Sequence, residues 1–246
     1  MEESLTNRIY SLVKEPIQGG LSITRKSTPI PFFGNLESAK VCTISLNPSD
    51  REFLDSKGSL LNKKRLYDRD LLKKEDDESL TEADAKKVVD GCEKYFENNP
   101  YRLWFNKMDY FLKSFESTYS YYSKTAVALD LAQWATTPKW SSLSEYVRSE
   151  LLSKGIPFLK DILEYKKFDF IFLNGKTVFE EVVSRLKIGY NQKKVTVGKT
   201  NFSVYFGKYA SSNVIGWSVY LQSKQGGGYE NICRIAKKIS EEYQKI

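Results

Sequence analysis

The chain has 246 residues and not one histidine. That absence excludes Ser-His-Asp and Cys-His nucleophile systems, HExxH zinc sites and imidazole acid/base chemistry of any kind. Cysteine is scarce as well: Cys42, Cys92 and Cys233 lie far apart and form no CxxC pair. Three thiols without histidine cannot complete a four-ligand zinc site or an iron–sulfur cluster unless a carboxylate joins them. Their odd number fits a reduced, cytoplasmic setting better than a disulfide framework. The expectation is therefore no metal, no iron–sulfur cluster and no cofactor. No apolar run approaches the roughly 20 residues that cross a bilayer, so no membrane partner is expected. Met1-Glu2-Glu3-Ser4 lacks the basic and apolar regions of a signal peptide. Repeats and low-complexity linkers are missing too. The reading is one α/β domain over 1–246, monomeric, with a polar and helical insertion at about 55–100.

Acidic residues are missing from one long stretch. Between Glu181 and Glu230 there is none, while Arg185, Lys187, Lys193, Lys194, Lys199, Lys208 and Lys224 all fall there. Those seven equal the whole net charge of +7, the excess of 38 Lys+Arg over 31 Asp+Glu. Tyr190, Phe202, Tyr205, Phe206, Tyr209, Trp217 and Tyr220 are interleaved with them. Cations that meet phosphates and rings that stack on bases make such a region a candidate nucleic-acid surface. A solvated hairpin with a half-buried aromatic face has the same composition. The opposite charge gathers at Glu75-Asp76-Asp77-Glu78, in a polar run from Lys57 to Lys87. It reads as an exposed loop leading to a helix capped by Thr81, with Glu82 and Asp84 in the first turn.

What is present is a set of short apolar runs. Val41–Leu46, Thr125–Leu129, Phe168–Leu173 and Val214–Val219 read as buried strands. Amphipathic helices are expected at 81–97, 102–116, 141–154, 156–166, up to Leu186, and from Gly228 to Tyr243, with Gly155 and Pro157 breaking the middle pair. Val195–Val197 and Phe202–Phe206 form a hairpin through Gly198-Lys199-Thr200-Asn201. Strands alternating with helices predict a three-layer α/β/α fold around a mostly parallel four-stranded sheet. In such sheets ligands bind beyond the carboxyl ends of the strands. Those ends are Asn47–Asp50, Asp130–Trp134, Asn174–Lys176 and Tyr220–Gly228.

The four ends carry a resemblance. Phe32-Phe33-Gly34-Asn35, followed by a strand ending Ser45-Leu46-Asn47-Pro48-Ser49, resembles the first active-site motif of the uracil-DNA glycosylase superfamily. The likeness is to its mismatch-specific and single-strand-selective branches, where the strand is followed by Gly-hydrophobic-Asn-Pro-Gly. Ser45 and Ser49 stand in place of the usual glycines. Leu129-Asp130-Leu131, with Gln133-Trp134-Ala135-Thr136 after it, falls where that superfamily places its base-reading residue. Phe170–Gly175 is similar to the central strand and turn. Tyr220-Leu221-Gln222-Ser223 falls where a second motif, His-Pro-Ser or Asn-Pro-Ser, is usual. Here it lacks both the histidine and the Asn-Pro pair.

The resemblance implies a uracil-DNA glycosylase-like fold and a monofunctional DNA glycosylase that hydrolyses the N-glycosidic bond of a flipped base. Such an enzyme would serve base excision in repair or defence against modified phage DNA. Its partner would be single- or double-stranded DNA. The chemistry needs an extruded base, a positioned water and stabilisation of the leaving base. Asn47 is the candidate for holding water, since an amide offers a donor and an acceptor but takes no proton at neutral pH. It would equally serve as a strand cap stiffened by Pro48. Ionised Asp130 accepts hydrogen bonds only, which points to an amino-bearing or modified base rather than plain uracil. Alternatively Asp130 activates the water, or caps the following turn.

Around these two, Phe33, Pro48, Ser49, Phe53, Trp134, Asn174, Gln222 and Ser223 are the expected base pocket. Trp140 would wall it, and Asp50 and Arg51 would form a local ion pair. Lys176, Lys193, Lys194, Lys199, Lys224, Gly226 and Gly227 are the expected DNA contacts. The glycines open the last helix, where backbone N–H groups and the helix dipole favour a phosphate. Asn174-Gly175-Lys176-Thr177 lacks the upstream glycine of a Walker sequence. The competing reading is a catalytically degenerate nucleic-acid-binding module on the same fold.

Overall fold

The computed structural model describes residues 3–246. Among them are six α-helices and six strands in the order α1 (Glu3–Val13), β1 (Val41–Ser45), α2 (Glu82–Glu93), α3 (Arg102–Phe115), β2 (Ala126–Asp130), α4 (Glu145–Tyr165), β3 (Phe170–Asn174), α5 (Lys176–Leu186), β4 (Tyr190–Val197), β5 (Thr200–Tyr209), β6 (Ser212–Trp217) and α6 (Tyr229–Tyr243). The class is α/β, and the four apolar runs are β1, β2, β3 and β6. The expected four-stranded sheet is corrected to a mixed six-stranded one, ordered β2-β1-β3-β6-β5-β4. β3 runs parallel to β1 and β6, whereas β5 is antiparallel to β6 and β4 to β5. The hairpin joins the sheet because Val204 and Phe206 present an apolar face continuous with Trp217 and Ile215, their register partners on β6. No helix among the described residues is long and apolar enough to cross a membrane.

The chain forms two compact units, each built from three stretches of sequence. One comprises Ser38–Ser45, Arg102–Ala128 and Lys167–Ile246, and contains most of the sheet. Side chains alternate between the faces of a pleated sheet, and two helical layers follow from that alternation. Phe170 and Phe172 of β3 and Trp217 of β6 meet Phe111 and Phe115 of α3 and Tyr243 of α6. On the opposite face Phe179 of α5 stacks on Tyr205 with ring centroids 3.9 Å apart. It also lies over Gly216, where an added Cβ would come within 2.4 Å of its ring.

The other unit comprises Met1–Glu37, Leu46–Tyr101 and Leu129–Lys166. Thr81 caps α2 as expected, in a reciprocal capping box with Asp84. The polar run before it is not simply an exposed loop. Arg69 within it is fully buried, and its guanidinium donates to the carbonyls of Glu15, Ser27, Glu75 and Glu78 at 2.6–3.1 Å. Five N–H donors in a fixed fork satisfy several carbonyls that a buried loop would otherwise strand. The break expected between two helices at Gly155 and Pro157 is also corrected, because α4 is one helix with Pro157 inside it. Val147, Leu151 and Leu152 before the proline and Phe158, Leu159, Ile162 and Leu163 after it are all buried. Apolar burial on both sides outweighs the one hydrogen bond a proline removes.

Candidate active site

Beyond β1 the chain runs Leu46-Asn47-Pro48-Ser49 alongside the segment that leaves β2. Ala132 N donates to Leu46 O at 3.0 Å, and Ser49 bridges Thr136. Asn47 fastens the two segments together. Its Nδ2 donates to Pro48 O at 3.0 Å, Thr136 Oγ1 at 3.1 Å and Trp134 O at 3.2 Å. Three acceptors around the nitrogen set the orientation of the amide, and among the described residues no donor reaches Oδ1. Asn47 is half-buried, so an acceptor oxygen of defined direction lies where water can reach it.

Ser49 then caps a short 3-10 turn, Asp50–Glu52, by accepting from Arg51 N at 3.2 Å. Asp50 and Arg51 do approach each other, at 3.9 Å, a separation worth little at a surface. The turn carries Glu52 into the interior, where it is 3% exposed. Tyr95 Oη donates to Glu52 Oε2 at 2.5 Å and accepts from Tyr101 N at 2.8 Å. Arg65 adds its positive charge to Glu52 while donating to Arg51 O and Asn99 O, and lies over the Tyr101 ring. Burial pushes the Glu52 carboxyl up to about 7, against the opposing pull of Tyr95 and Arg65.

Asp130 is the last residue of β2 and is 6% exposed. Gln133 Nε2 donates to its backbone carbonyl at 2.8 Å, yet no hydrogen bond from the described residues reaches its carboxylate. Burial, and then the like charge of Glu52, hold the Asp130 carboxyl well above the usual range. The site thus contains two buried carboxyls that cannot both ionise cheaply. Both causes act against the charged form of Asp130 and favour the neutral acid. Burial thus works against the ionised, acceptor-only form of this side chain.

The flanking aromatics take defined places. Phe33 is buried edge-on against Tyr95, with ring centroids 4.8 Å apart, and Phe53 is buried. Trp134 belongs to an apolar cluster with Leu21, Ala132, Leu143, Val147 and Leu151, against which Trp140 packs. Sequence reasoning passed over Glu52, Tyr95 and Arg65. The signal for the turn was present, since Ser49-Asp50-Arg51-Glu52 has the S-x-x-E form of a capping box. That form predicts a glutamate folded back on the cap, not one directed into the core.

The remaining predicted residues lie in the sheet-containing unit. Asn174 is enclosed there: its Oδ1 accepts from Trp217 Nε1 and Leu221 N, both at 3.1 Å, and its Nδ2 donates to Gln222 Oε1 at 2.6 Å. Gln222 Nε2 donates in turn to Trp104 O, and Ser223 Oγ to Tyr220 O. Lys107 donates to the carbonyls of Leu221 and Gly227. These bonds tie the segment after β6 onto α3 and the end of β3. Gly226 N is shared with Ser223 Oγ, Gly227 N is bonded to Lys224 O, and Gly228 caps α6.

The basic residues divide into two groups. Lys193 pairs with Glu242, as do Lys238 and Lys245, and these three hold the Glu242 carboxyl down at about 2. Lys176 at the start of α5 is exposed, 3.6 Å from Glu180. Lys194 and Lys199 are exposed on β4 and at the hairpin tip, and Lys224 is exposed in the segment before α6. Val204 is opposite Trp217, the last residue of β6, so the hairpin tip projects about 14 Å past the carboxyl end of that strand. Lys176, Lys194, Lys199 and Lys224 therefore share one edge of the sheet. The interleaved rings do not join them in solvent: Phe202, Tyr205, Phe206 and Trp217 are buried, while Tyr190 and Tyr220 are exposed. Among the described residues no group of three or more Cys, Asp or Glu side chains could hold a metal ion. No family model matches the chain, and no curated protein matches it.

Proposed function

We propose that this protein is a monofunctional DNA glycosylase-like hydrolase of uracil-DNA glycosylase-like fold, cleaving the N-glycosidic bond of a base extruded from DNA. The observation that carries the proposal is Asn47, whose nitrogen is held by three acceptors while its oxygen faces no protein donor. A fixed acceptor can align one O–H of a water without removing its proton, which suits attack on a sugar that already carries oxocarbenium character. The C1′–N bond breaks with its electron pair going to the base, the water oxygen bonds to C1′, and one water proton is transferred in net terms to the departing base. Asp130, a buried carboxyl at the neighbouring strand end, is assigned to hydrogen bonding with that base. No lysine is evident among the described residues as a Schiff-base nucleophile, hence the monofunctional reading.

The test is an abasic-site assay. Labelled single- and double-stranded oligonucleotides carrying uracil, mismatched thymine, hypoxanthine or modified cytosines are incubated with the protein and cleaved with alkali. Strand breaks that fall by about 100-fold or more in Asn47→Ala support the proposal, the usual scale for losing a transition-state contact. The absence of breaks on every substrate overturns it.

A second reading is favoured by a different observation, the four lysines on one edge of the sheet. A nucleic-acid-binding module without catalysis would show salt-sensitive binding that Asn47→Ala leaves unchanged.

A further inference from the structure

We infer that Glu52 is a positioning residue acting through Asp130: of two buried carboxyls Glu52 alone has the counter-charge of Arg65 and the Tyr95 donor, and the proton they retain sits on Asp130, where it becomes a hydrogen-bond donor to whatever the site binds. That the bound group is an extruded base rests on the function proposed above; the placement of the proton does not.

The groups facing Glu52 come from four elements. Tyr95 donates to it from the turn after α2, Arg65 of the preceding loop lends it positive charge, and its own charge acts on the Cys92 thiol of α2 and on Asp130 of β2. Only one of these groups is a cation. Tyr95 Oη has one proton, and the Tyr101 N–H directed at its oxygen commits that proton to Glu52. Glu52 therefore has both a donor and a cation to stabilise a negative charge. Asp130 has neither: no hydrogen bond from the described residues reaches its carboxylate, and the charge acting on it is that of Glu52. One cation compensates one carboxylate, and a second uncompensated charge at this depth would cost several kcal/mol, so the second carboxyl stays neutral.

The consequence is chemical. A carboxylate offers acceptors alone, whereas a carboxylic acid offers one O–H donor beside a carbonyl acceptor. In that state Asp130 presents the same donor–acceptor pair as an asparagine amide. Its partner is then a ring edge that both accepts and donates, and an edge with donors alone is selected only after the proton is lost.

The experiment separates these claims. Infrared difference spectra between wild type and Asp130→Asn, recorded from pH 5 to pH 8, isolate the carboxylic acid carbonyl band of Asp130 without any need for activity. The band is expected at pH 7 in wild type. In Glu52→Gln, which removes the like charge and frees Arg65, it should vanish about one pH unit lower or more. Tyr95→Phe is the second variant: without its donor Glu52 takes up the proton, and the Asp130 band shifts in the same direction. A wild-type band missing at pH 7, or unmoved in both variants, overturns the inference. In the abasic-site assay base release should fall as pH rises through the loss of the Asp130 band, and in Glu52→Gln that fall should move down with the band. A rate that does not follow the loss of the band would overturn the donor role. If no substrate yields breaks while the band behaves as expected, the glycosylase reading falls and the proton placement stands.

Discussion

Asn47 illustrates how the bonds that give a side chain its structural place also set the direction of its remaining acceptor. Its nitrogen makes three hydrogen bonds that hold the segments after β1 and β2 together, and the same bonds determine where its oxygen lies. Asn47→Asp should therefore be worse for stability than Asn47→Ala, because it sets a carboxylate oxygen against three acceptors. A loss of about 2–4 kcal/mol is expected for Asp and about 1–2 kcal/mol for Ala, read from urea denaturation. Glu52 leads to a prediction in pH. Its carboxyl titrates near 7 in the folded chain, against an ordinary value of 4.5. The folded state then binds more protons than the unfolded state between those values, so the contribution to stability is complete below 4.5 and is lost as pH rises through 7. Wild type should be more stable at pH 5 than at pH 8 by an amount on the order of 3 kcal/mol from this group. Glu52→Gln should flatten that slope in denaturation curves taken at the two pH values.

At the scale of elements, α4 shows how tertiary packing overrides local punctuation. Gly155 and Pro157 are the ordinary marks of a helix break, yet the helix continues through both. Gly155 is required for a different reason. A Cβ there would lie 2.1 Å from the carbonyl oxygen of Leu131, in the segment that follows Asp130. Backbone cannot yield as a flexible side chain does, so Gly155→Ala should destabilise the fold by about 1–3 kcal/mol despite alanine's higher helix propensity, measured by thermal melting. The same push should displace the segment carrying Trp134 and Thr136, to which Asn47 is bonded. The buried Arg69 makes a parallel point: a long polar stretch folds compactly when one guanidinium satisfies two of its own carbonyls, Glu75 and Glu78, and joins them to those of Glu15 and Ser27.

For the whole molecule the charge distribution matters more than its net value of +7. Part of the basic excess is neutralised internally, since Lys193 joins Lys238 and Lys245 around Glu242. Lys194 and Lys199 have no such partner among the described residues and lie on the edge shared with Lys176 and Lys224. Lys194→Glu and Lys199→Glu should each weaken oligonucleotide binding and lower the slope of log affinity against log salt by about one. Lys193→Glu should act mainly on stability, by setting a second acid beside Glu242. Fluorescence titrations at several salt concentrations separate these outcomes from a nonspecific loss of charge, which would reduce all three equally.

Much of the scaffold was legible in the sequence. Continuous β-branched and apolar runs of five or six residues cannot remain in water, so β1, β2, β3 and β6 could be located from hydrophobicity alone, as could α2 from Thr81 and its capping partner. Asn47 and Asp130 were legible as the polar residues that end two of those strands. What the sequence did not reveal is partnership. A period of two marks a hairpin but does not say which sheet edge it extends, and only packing against β6 made the sheet six-stranded and mixed. A glutamate two residues past a surface-like Asp50 gives no sign that its turn will direct it inward. The encounter of Glu52 with Tyr95, Arg65 and Asp130 arises from segments up to 78 residues apart in the chain, and protonation depends on the dielectric and charge around a group rather than on its neighbours in sequence. The linear chain determined which segments would be buried; the tertiary structure alone decided which charges would be buried together.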